Sequence, residues 1–309
     1  MIHPSTPFCP SSHINRQAFR SYLFFSSTFK QHCKQYLPGD IQSMSHDQII
    51  NENILVIDLD FNDSACVINV DVMQSDGSFD NLHTTIQITR CLDENYLVNG
   101  KAFGRVVAAT SASGIRKLDG NHGHLHTYGM HCHNGLFKTF ADTQVLKENK
   151  TIYKKFVDAI LEMAEQYFPI ELSVMIQLEY SQGITSYLED HPCNRLISKR
   201  EGPCSISTSI NFATPQHVDV RDGSISIFGW FHIGCPITDR YFLMSNLRVE
   251  KQGHVFTGLA IKLVDGLIVT GDGCMICHGT TTSKFNGEIF GIQFAANGVS
   301  MSSKMETQS

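Results

Sequence analysis

The chain has 309 residues, a formal net charge of −6 at pH 7 and 42% hydrophobic residues. That length allows one large all-β domain with extensions or two ordinary domains, and the hydrophobic content is enough for a sizeable core. The negative charge argues against a protein held on nucleic acid by bulk electrostatics, although a local basic channel is compatible with it. No apolar run approaches the roughly 20 residues that span a bilayer, so we expect a soluble protein.

The N-terminal 39 residues contain no Asp or Glu and are rich in Ser and Phe. This composition is typical of an organellar transit peptide, but also of a disordered arm or a mispredicted gene start, so we treat residues 1–45 as a disordered or targeting arm. The chain carries 10 scattered cysteines and no clear secretory signal. These features indicate reduced thiols in an intracellular compartment, cytoplasmic or nuclear.

Residues 54–61 alternate in side-chain character, and residues 66–72 repeat the pattern after a polar turn. Period-two alternation on both sides of a turn predicts an antiparallel hairpin. Further strands are predicted near 84–90 and at 103–110. We therefore interpret residues 46–200 as an N-terminal β-rich part.

The densest group of histidines lies between His122 and His133. In an extended segment His122, His124 and His126 would share one face, so a second metal site is one hypothesis. Two glycines interrupt the segment and no acidic residue lies within it. The alternative is a polar loop that, if it has a role, lines the mouth of the main site.

Residues 151–168 have the clearest helical pattern in the chain. One stripe of the predicted helix is apolar, and it consists of Ile152, Phe156, Ile160, Met163 and Tyr167. Pro169 ends the run, because the residue before a proline disfavours helical backbone angles. We expect this helix to brace the outside of a sheet.

From Cys204 onward, short strand patterns alternate with turn dipeptides such as Asp-Gly and Asn-Gly. The predicted strands are 205–212, 224–232, 241–249, 255–264, 267–270, 274–278 and 288–294. Many short strands without a helix among them indicate a jelly roll or double-stranded β-helix. The predicted fold class is therefore α+β, mainly β, with this core in residues 201–296, flanking helices, the N-terminal β-rich extension and a disordered tail at 297–309.

His217 lies two residues before Asp219, and His278 ends a distant predicted strand. Side chains two apart in a strand share a face, and strand ends of a barrel meet at one mouth, so the three can converge on one ion. Two histidines and one carboxylate with open positions are the arrangement of non-haem Fe(II) oxygenases. The alternative is that Asp219 caps a turn and His217 is a polar rim residue, since a His-x-Asp pair is frequent by chance.

The amino-acid sequences around these three residues resemble those of a known family. Asn-Phe-Ala-Thr-Pro-Gln-His-Val-Asp at 211–219, with Ile-Phe-Gly-Trp-Phe after it, resembles the first iron-binding segment of Fe(II)/2-oxoglutarate dioxygenases of the double-stranded β-helix fold. Residues 258–280, which end in Cys-Met-Ile-Cys-His-Gly-Thr, resemble their distal segment. Within that superfamily the chain is most similar to the nucleic-acid-modifying branch related to the ten-eleven-translocation and base-J hydroxylases.

The resemblance implies that His217, Asp219 and His278 are the catalytic residues and bind Fe(II). It implies 2-oxoglutarate and dioxygen as cosubstrates, and hydroxylation of an unidentified substrate, a nucleobase in DNA or RNA being one candidate. The alternative function is a non-catalytic jelly-roll binding or scaffold protein that retains the fold.

One departure from the resembled family concerns the cosubstrate. Its members usually place an Arg or Lys shortly after the distal histidine, because a buried carboxylate needs a cationic partner. Lys284 is the only basic residue between His278 and Lys304, and it lies nearer to His278 than is usual in that family. The predicted cosubstrate-binding set is therefore Lys284 with Thr280 or Thr282 as hydroxyl donors; the alternative for Lys284 is an exposed turn lysine.

Two further motifs have alternatives. Residues 274–278 spell C-x-x-C-H, the haem attachment signature, but the region is strand-rich and an extended strand would place the two thiols on opposite faces, so haem is not favoured. Phe228, Trp230 and His232 share one strand face. We expect them to pack in the core, with lining of the substrate pocket as the alternative.

Overall fold

The structure is a computed structural model that describes residues 20–23, 54–59, 65–73, 79, 82–110, 122–133, 136–139, 148–181, 205–219, 222–281, 283 and 287–297. The strands in these ranges are β1 (Arg20–Leu23), β2 (Leu55–Asp58), β3 (Ala65–Val72), β4 (His83–Arg90), β5 (His122–His133), β6 (Leu136–Thr139), β7 (Ser205–His217), β8 (Asp222–His232), β9 (Tyr241–Met244), β10 (Leu247–Lys251), β11 (His254–Phe256), β12 (Leu259–Lys262), β13 (Leu267–Gly271), β14 (His278–Thr280) and β15 (Ile289–Asn297). The helices are α1 (Glu94–Ala109), α2 (Lys150–Tyr167) and α3 (Pro169–Ser181).

The C-terminal strands form two antiparallel sheets that share β7. The first half of β7 belongs to the major sheet, in the order β7-β15-β8-β13. The end of β7 belongs to the minor sheet, in the order β7-β14-β9-β12. Four antiparallel strands in each sheet are the architecture of a jelly roll, so the predicted double-stranded β-helix core and mainly β fold class are confirmed.

An apolar core fills the space between the two sheets. Phe228 and Trp230 of the major sheet meet Phe242 and Met244 of the minor sheet there. The rings of Trp230 and Phe242 have centroids 4.9 Å apart. Because alternate residues of each strand point inward, the other members of each strand face the helices or solvent.

Asn211 is the position at which β7 passes from one sheet to the other. Its φ of 49° lies in the left-handed region, which asparagine tolerates better than most residues. Its Nδ2 donates to the Gly287 carbonyl at 3.0 Å, and its Oδ1 accepts from the Ile289 amide at 2.9 Å. The bend therefore has its own side-chain support, and it carries His217 into the minor sheet.

The three helices cover the outer face of the major sheet. Phe156 of α2 packs on Phe103 of α1 and on Phe290 of β15, with ring centroids 4.5 and 5.9 Å apart. The predicted helix at 151–168 is thus confirmed as α2, in the bracing position. Pro169 ends α2 as predicted and then begins α3, since a first helical residue needs no amide donor. None of the helices in the described part of the chain is long and apolar enough to span a membrane.

Helix α1 shows that the predicted strand at 103–110 is wrong. Asp93 caps the helix by accepting from the Tyr96 amide at 2.9 Å. At Gly104 an added Cβ would lie 2.8 Å from the Phe290 ring, so the helix backbone packs directly on the sheet. Tertiary packing of this helix face overrides the local strand preference of Val106 and Val107.

The predicted hairpin of residues 54–61 and 66–72 is also wrong, although both strands exist. β2 pairs in parallel with β12 of the minor sheet, and β3 pairs with β4, which lies against β13 of the major sheet. Alternation of side chains specifies a strand but not its partner. Strands of residues 46–200 therefore extend both sheets of the C-terminal core.

The histidine-dense segment is strand β5, which pairs with β7 at the edge of the major sheet. The alternative that this segment is a polar loop is therefore wrong. His126 is buried and stacks on Tyr128 with centroids 6.3 Å apart, whereas His124 is exposed. Neither belongs to a group of three potential ligands among the described residues. The hypothesis of a second metal site receives no support from this part of the chain.

The remaining strand predictions for the second half differ mainly in where strands break. The predicted strand 241–249 is divided into β9 and β10, and 255–264 is divided into β11 and β12. Residues 274–277 form a turn, and strand β14 begins only at His278. Residues 190–203, for which two prolines, a glycine and several charges predict a loop, lie outside the described residues.

Candidate metal centre

Strand pairing brings the two distant histidines together. His278 of β14 lies directly opposite His217 of β7, and their ring centroids are 4.9 Å apart. Opposed residues of an antiparallel pair share one face, so both rings project to the same side of the minor sheet.

Asp219 completes the group from just beyond the end of β7. Its amide donates to the Gly273 carbonyl at 2.9 Å. Its Oδ1 lies 3.5 Å from Nε2 of His217, and its Oδ2 lies 3.2 Å from Nε2 of His278. Ligands at right angles, each ~2.1 Å from an ion, lie about 3 Å apart, and the two spacings from Asp219 are close to this value.

The three ligand atoms lie within 4.8 Å of one another. Across the residues that the structure describes, no other three His, Cys, Asp or Glu side chains are grouped in this way. The three positions singled out from the sequence are therefore those that the fold brings together.

A hydrogen bond fixes the proton on the His278 ring. Nδ1 lies 2.8 Å from the Ile276 carbonyl oxygen, which can only accept, so Nδ1 is the donor. In the neutral ring Nε2 then carries a lone pair, and that lone pair faces Oδ2 of Asp219. Two lone pairs at this distance repel each other unless a cation, either a proton or a metal ion, lies between them.

The electrostatics keep Asp219 ionised. Burial by itself raises the pKa of a carboxyl group, but hydrogen bonds and charge from His217 and His278 outweigh it and hold the pKa of Asp219 well below its usual range. The carboxylate is therefore a negatively charged ligand throughout the neutral range.

The turn before His278 is held by a residue that the sequence did not single out. Asn246 is buried; its Oδ1 accepts from the Cys277 amide at 2.7 Å, and its Nδ2 donates to the Met275 carbonyl at 2.8 Å. Asp272 also accepts from the Met275 amide at 3.1 Å. The backbone that presents His278 is thus clamped from two sides.

The two thiols of the C-x-x-C-H motif have separate surroundings. Cys274 donates through Sγ to the backbone oxygen of Asp219 at 3.3 Å. Burial raises the pKa of Cys277 to about 11, against a smaller opposing effect of a hydrogen bond from Ser245. Cys277 is therefore a protonated thiol at neutral pH, which is a poor metal ligand and a poor nucleophile.

Aromatic side chains wall the inner side of the centre. The rings of Phe228 and Phe242 lie 5.1 and 5.6 Å from the His278 ring, centroid to centroid. Phe228 and Trp230 are buried, as predicted, whereas His232 is half-buried. Apolar side chains lower the local dielectric constant and so strengthen charge interactions at the centre.

The predicted cosubstrate residues are only partly described. Thr280 is buried and donates through Oγ1 to the Phe212 carbonyl at 2.7 Å. Lys284 and Thr282 lie outside the described residues, so their binding role stays a prediction.

Arg240 is a buried cation close to Thr280 that sequence reasoning missed. It is 2% exposed, and its guanidinium donates to the Thr281 carbonyl at 2.9 Å and to the Phe212 carbonyl at 2.8 Å. Burial lowers its pKa to about 10, against the opposing charge of Asp239, so it stays protonated at neutral pH. Among the described residues no carboxylate forms an ion pair with it.

No family model matches the chain, and no curated protein matches it in sequence. Solved structures do match. NgTET1 in complex with 5mC DNA has 14% identity and a TM-score of 0.44, and the match covers 91% of this chain and 97% of that one. A 2OG-Fe(II) oxygenase family oxidoreductase from Burkholderia pseudomallei has 10% identity and a TM-score of 0.36, over 65% and 80% of the two chains.

A Pseudomonas putida prolyl-4-hydroxylase is similar at 11% identity and a TM-score of 0.34, over 69% of this chain and 93% of that one. Because identities and TM-scores are low, the function is inferred from the site itself.

Proposed function

We propose that the protein is an Fe(II)/2-oxoglutarate-dependent dioxygenase that holds iron on His217, Asp219 and His278. The observation that carries the proposal is the grouping of His217, Asp219 and His278, whose ligand atoms all lie within 4.8 Å of one another. Two imidazoles and one carboxylate are the donor set of Fe(II) oxygenases. When bound, the iron with 2-oxoglutarate and dioxygen supplies the oxidising chemistry that hydroxylates a C–H bond.

The protein's own residues would do three things in this reaction. The Ile276 carbonyl holds the His278 ring in the tautomer that leaves Nε2 available. Asp219 supplies one negative charge, which offsets part of the charge of a divalent ion. The Phe228 and Phe242 rings exclude water from the inner side of the site.

For the cosubstrate, Arg240 is the residue that best suits its far carboxylate, and Thr280, whose hydroxyl donates to the same Phe212 carbonyl, marks its place near the metal centre. Thr280 lies two residues beyond His278 on the same face of β14, roughly 6.5 Å along the strand. The two bonds of Arg240 to carbonyl groups use only part of a guanidinium that carries five N–H donors. Arg240 also offers the bidentate fork that Lys284 lacks.

A nucleobase in DNA or RNA is the substrate class that we propose, on the resemblance of the two metal-binding segments to the nucleic-acid-modifying branch. The competing function is a non-catalytic jelly-roll binding or scaffold protein. The two differ in turnover, since only the enzyme converts 2-oxoglutarate to succinate.

The test is an anaerobic Fe(II) titration followed by succinate measurement in air. Wild-type protein should bind one Fe(II) and form succinate, whereas His217→Ala, Asp219→Ala and His278→Ala should lose both properties while keeping the wild-type circular dichroism spectrum. His254→Ala, at an exposed histidine of β11, is the matched control and should behave as wild type. Folded wild-type protein that binds no iron and forms no succinate would overturn the proposal and favour the scaffold.

A further inference from the structure

The acidic ligand of the candidate metal centre has a neutral partner on β15. The side-chain Nε2 of Gln293 lies 2.8 Å from Oδ2 of Asp219. Gln293 lies four residues after Ile289, which packs in the core between the sheets, so period-two alternation places both side chains on the inner face of β15. The contact joins the major sheet to the segment that follows β7.

The chemistry of the two groups decides which end of the amide faces Asp219. A carboxylate accepts hydrogen bonds, and an amide donates them only through its nitrogen. The nitrogen of the amide must therefore face it, as the structure has it. A hydrogen bond to a charged acceptor is stronger than one between neutral groups.

This bond falls on the oxygen that also faces His278. Oδ2 lies 3.2 Å from Nε2 of His278, while Oδ1 lies 3.5 Å from Nε2 of His217. Without Gln293 the plane of the carboxylate is less restrained in its rotation about the Cβ–Cγ bond. With the amide on Oδ2, one orientation is favoured before any ion binds.

We propose that Gln293 is a positioning residue for the metal centre: its amide fixes the orientation of the Asp219 carboxylate and so preorganises the ligand set for a divalent cation. The inference rests on the metal site of the proposed function but not on 2-oxoglutarate turnover. Partners that orient metal ligands typically change metal affinity about 10- to 100-fold when they are removed. A neutral amide does this without adding a charge next to the ion.

The test is a titration of the purified full chain with Co(II), whose visible absorption reports both binding and ligand geometry. Gln293→Met keeps the length of the side chain and removes the donor, and Gln293→Asn keeps the amide but shortens its reach. Both should weaken Co(II) binding by about 10- to 100-fold and alter the absorption spectrum of the bound ion. Gln177→Met, on the exposed face of α3, is the control and should leave both unchanged.

The outcomes separate this inference from the proposed function. If folded Gln293→Met or Gln293→Asn protein binds Co(II) with the wild-type affinity and spectrum, the positioning role is overturned. Wild-type protein that binds no Co(II) overturns the metal site, and this inference with it. Wild-type protein that binds Co(II) but, when loaded with Fe(II), forms no succinate overturns the proposed function and leaves the role of Gln293 standing.

Discussion

Arg240 and Thr280 donate to the same acceptor, the carbonyl oxygen of Phe212, at 2.8 and 2.7 Å. One carbonyl of β7 therefore holds the guanidinium of Arg240, the residue before β9, next to a hydroxyl from β14. β7, β14 and β9 are neighbours in the minor sheet. Thr280 lies two residues along β14 from His278, a proposed iron ligand. The guanidinium keeps N–H donors that these bonds do not use, and a cation in this position suits a carboxylate.

We expect Arg240→Lys to raise the KM for 2-oxoglutarate at least about tenfold, because a point charge replaces a bidentate fork. Fe(II) affinity should be unchanged, since Arg240 is not a proposed iron ligand. Succinate formation at graded 2-oxoglutarate concentrations checks this, with Arg248→Lys at an exposed position as the control. An unchanged KM in folded Arg240→Lys, together with a raised KM in Lys284→Ala, would return the role to Lys284.

Asn246→Ala should weaken metal binding without touching a ligand. The change removes two hydrogen bonds that hold the turn before His278, at Met275 and Cys277, and each buried polar group left unpaired costs about 1–3 kcal/mol. Denaturant unfolding and Co(II) titration measure the two effects. Asn99→Ala on α1, where the side chain bonds only to its own helix turn, serves for comparison. Equal loss in both variants would mean that Asn246 has no special part in presenting His278.

Stability should depend on pH through Glu171 of α3. Burial raises its pKa, against smaller opposing effects of a backbone hydrogen bond and of Gln87. An acid with a raised folded-state pKa binds its proton more tightly when folded. Its stabilising contribution is present below the unfolded-state pKa of about 4.3 and is lost as pH rises through the folded-state value.

Glu171→Gln should therefore flatten the decline of the melting temperature as pH rises from about 4 to about 8. This range begins just below the unfolded-state pKa of about 4.3. Thermal unfolding by circular dichroism at each pH checks this. Glu250→Gln, at an exposed position of β10, should leave the wild-type profile intact. If both variants follow the wild-type profile, burial of Glu171 does not govern the pH dependence.

Thiol reactivity should follow burial. Cys235 is exposed and Cys277 is buried, and the pKa of Cys277 is raised to about 11. Since the thiolate is the reactive form, Cys235 should be alkylated by iodoacetamide in the folded protein well before Cys277. Mass spectrometry of digested samples taken over time locates the label. Early labelling of Cys277 would contradict the closed turn before His278.

Local patterns were sufficient for most of the C-terminal strands and for helix α2, and they singled out the three side chains that the fold groups together. Alternation of side chains and the apolar stripe of a helix are properties of adjacent residues, so they can be read without knowing the fold. The spacing of His217 and Asp219 is equally local. Their grouping with His278 needed the inference that strand ends of a barrel meet and the resemblance of the two segments to iron-binding segments, and the register of β7 with β14 agrees with it.

Only the tertiary structure decided which strands pair and which buried polar residues support the centre. β2 and β3 are neighbours in sequence but lie in different sheets, because each strand joins the partner that buries its apolar face. α1 is a helix because it packs on Phe290 through Gly104. Arg240, Asn246 and Gln293 carry no signal in the sequence, since their contacts join segments that only folding brings together.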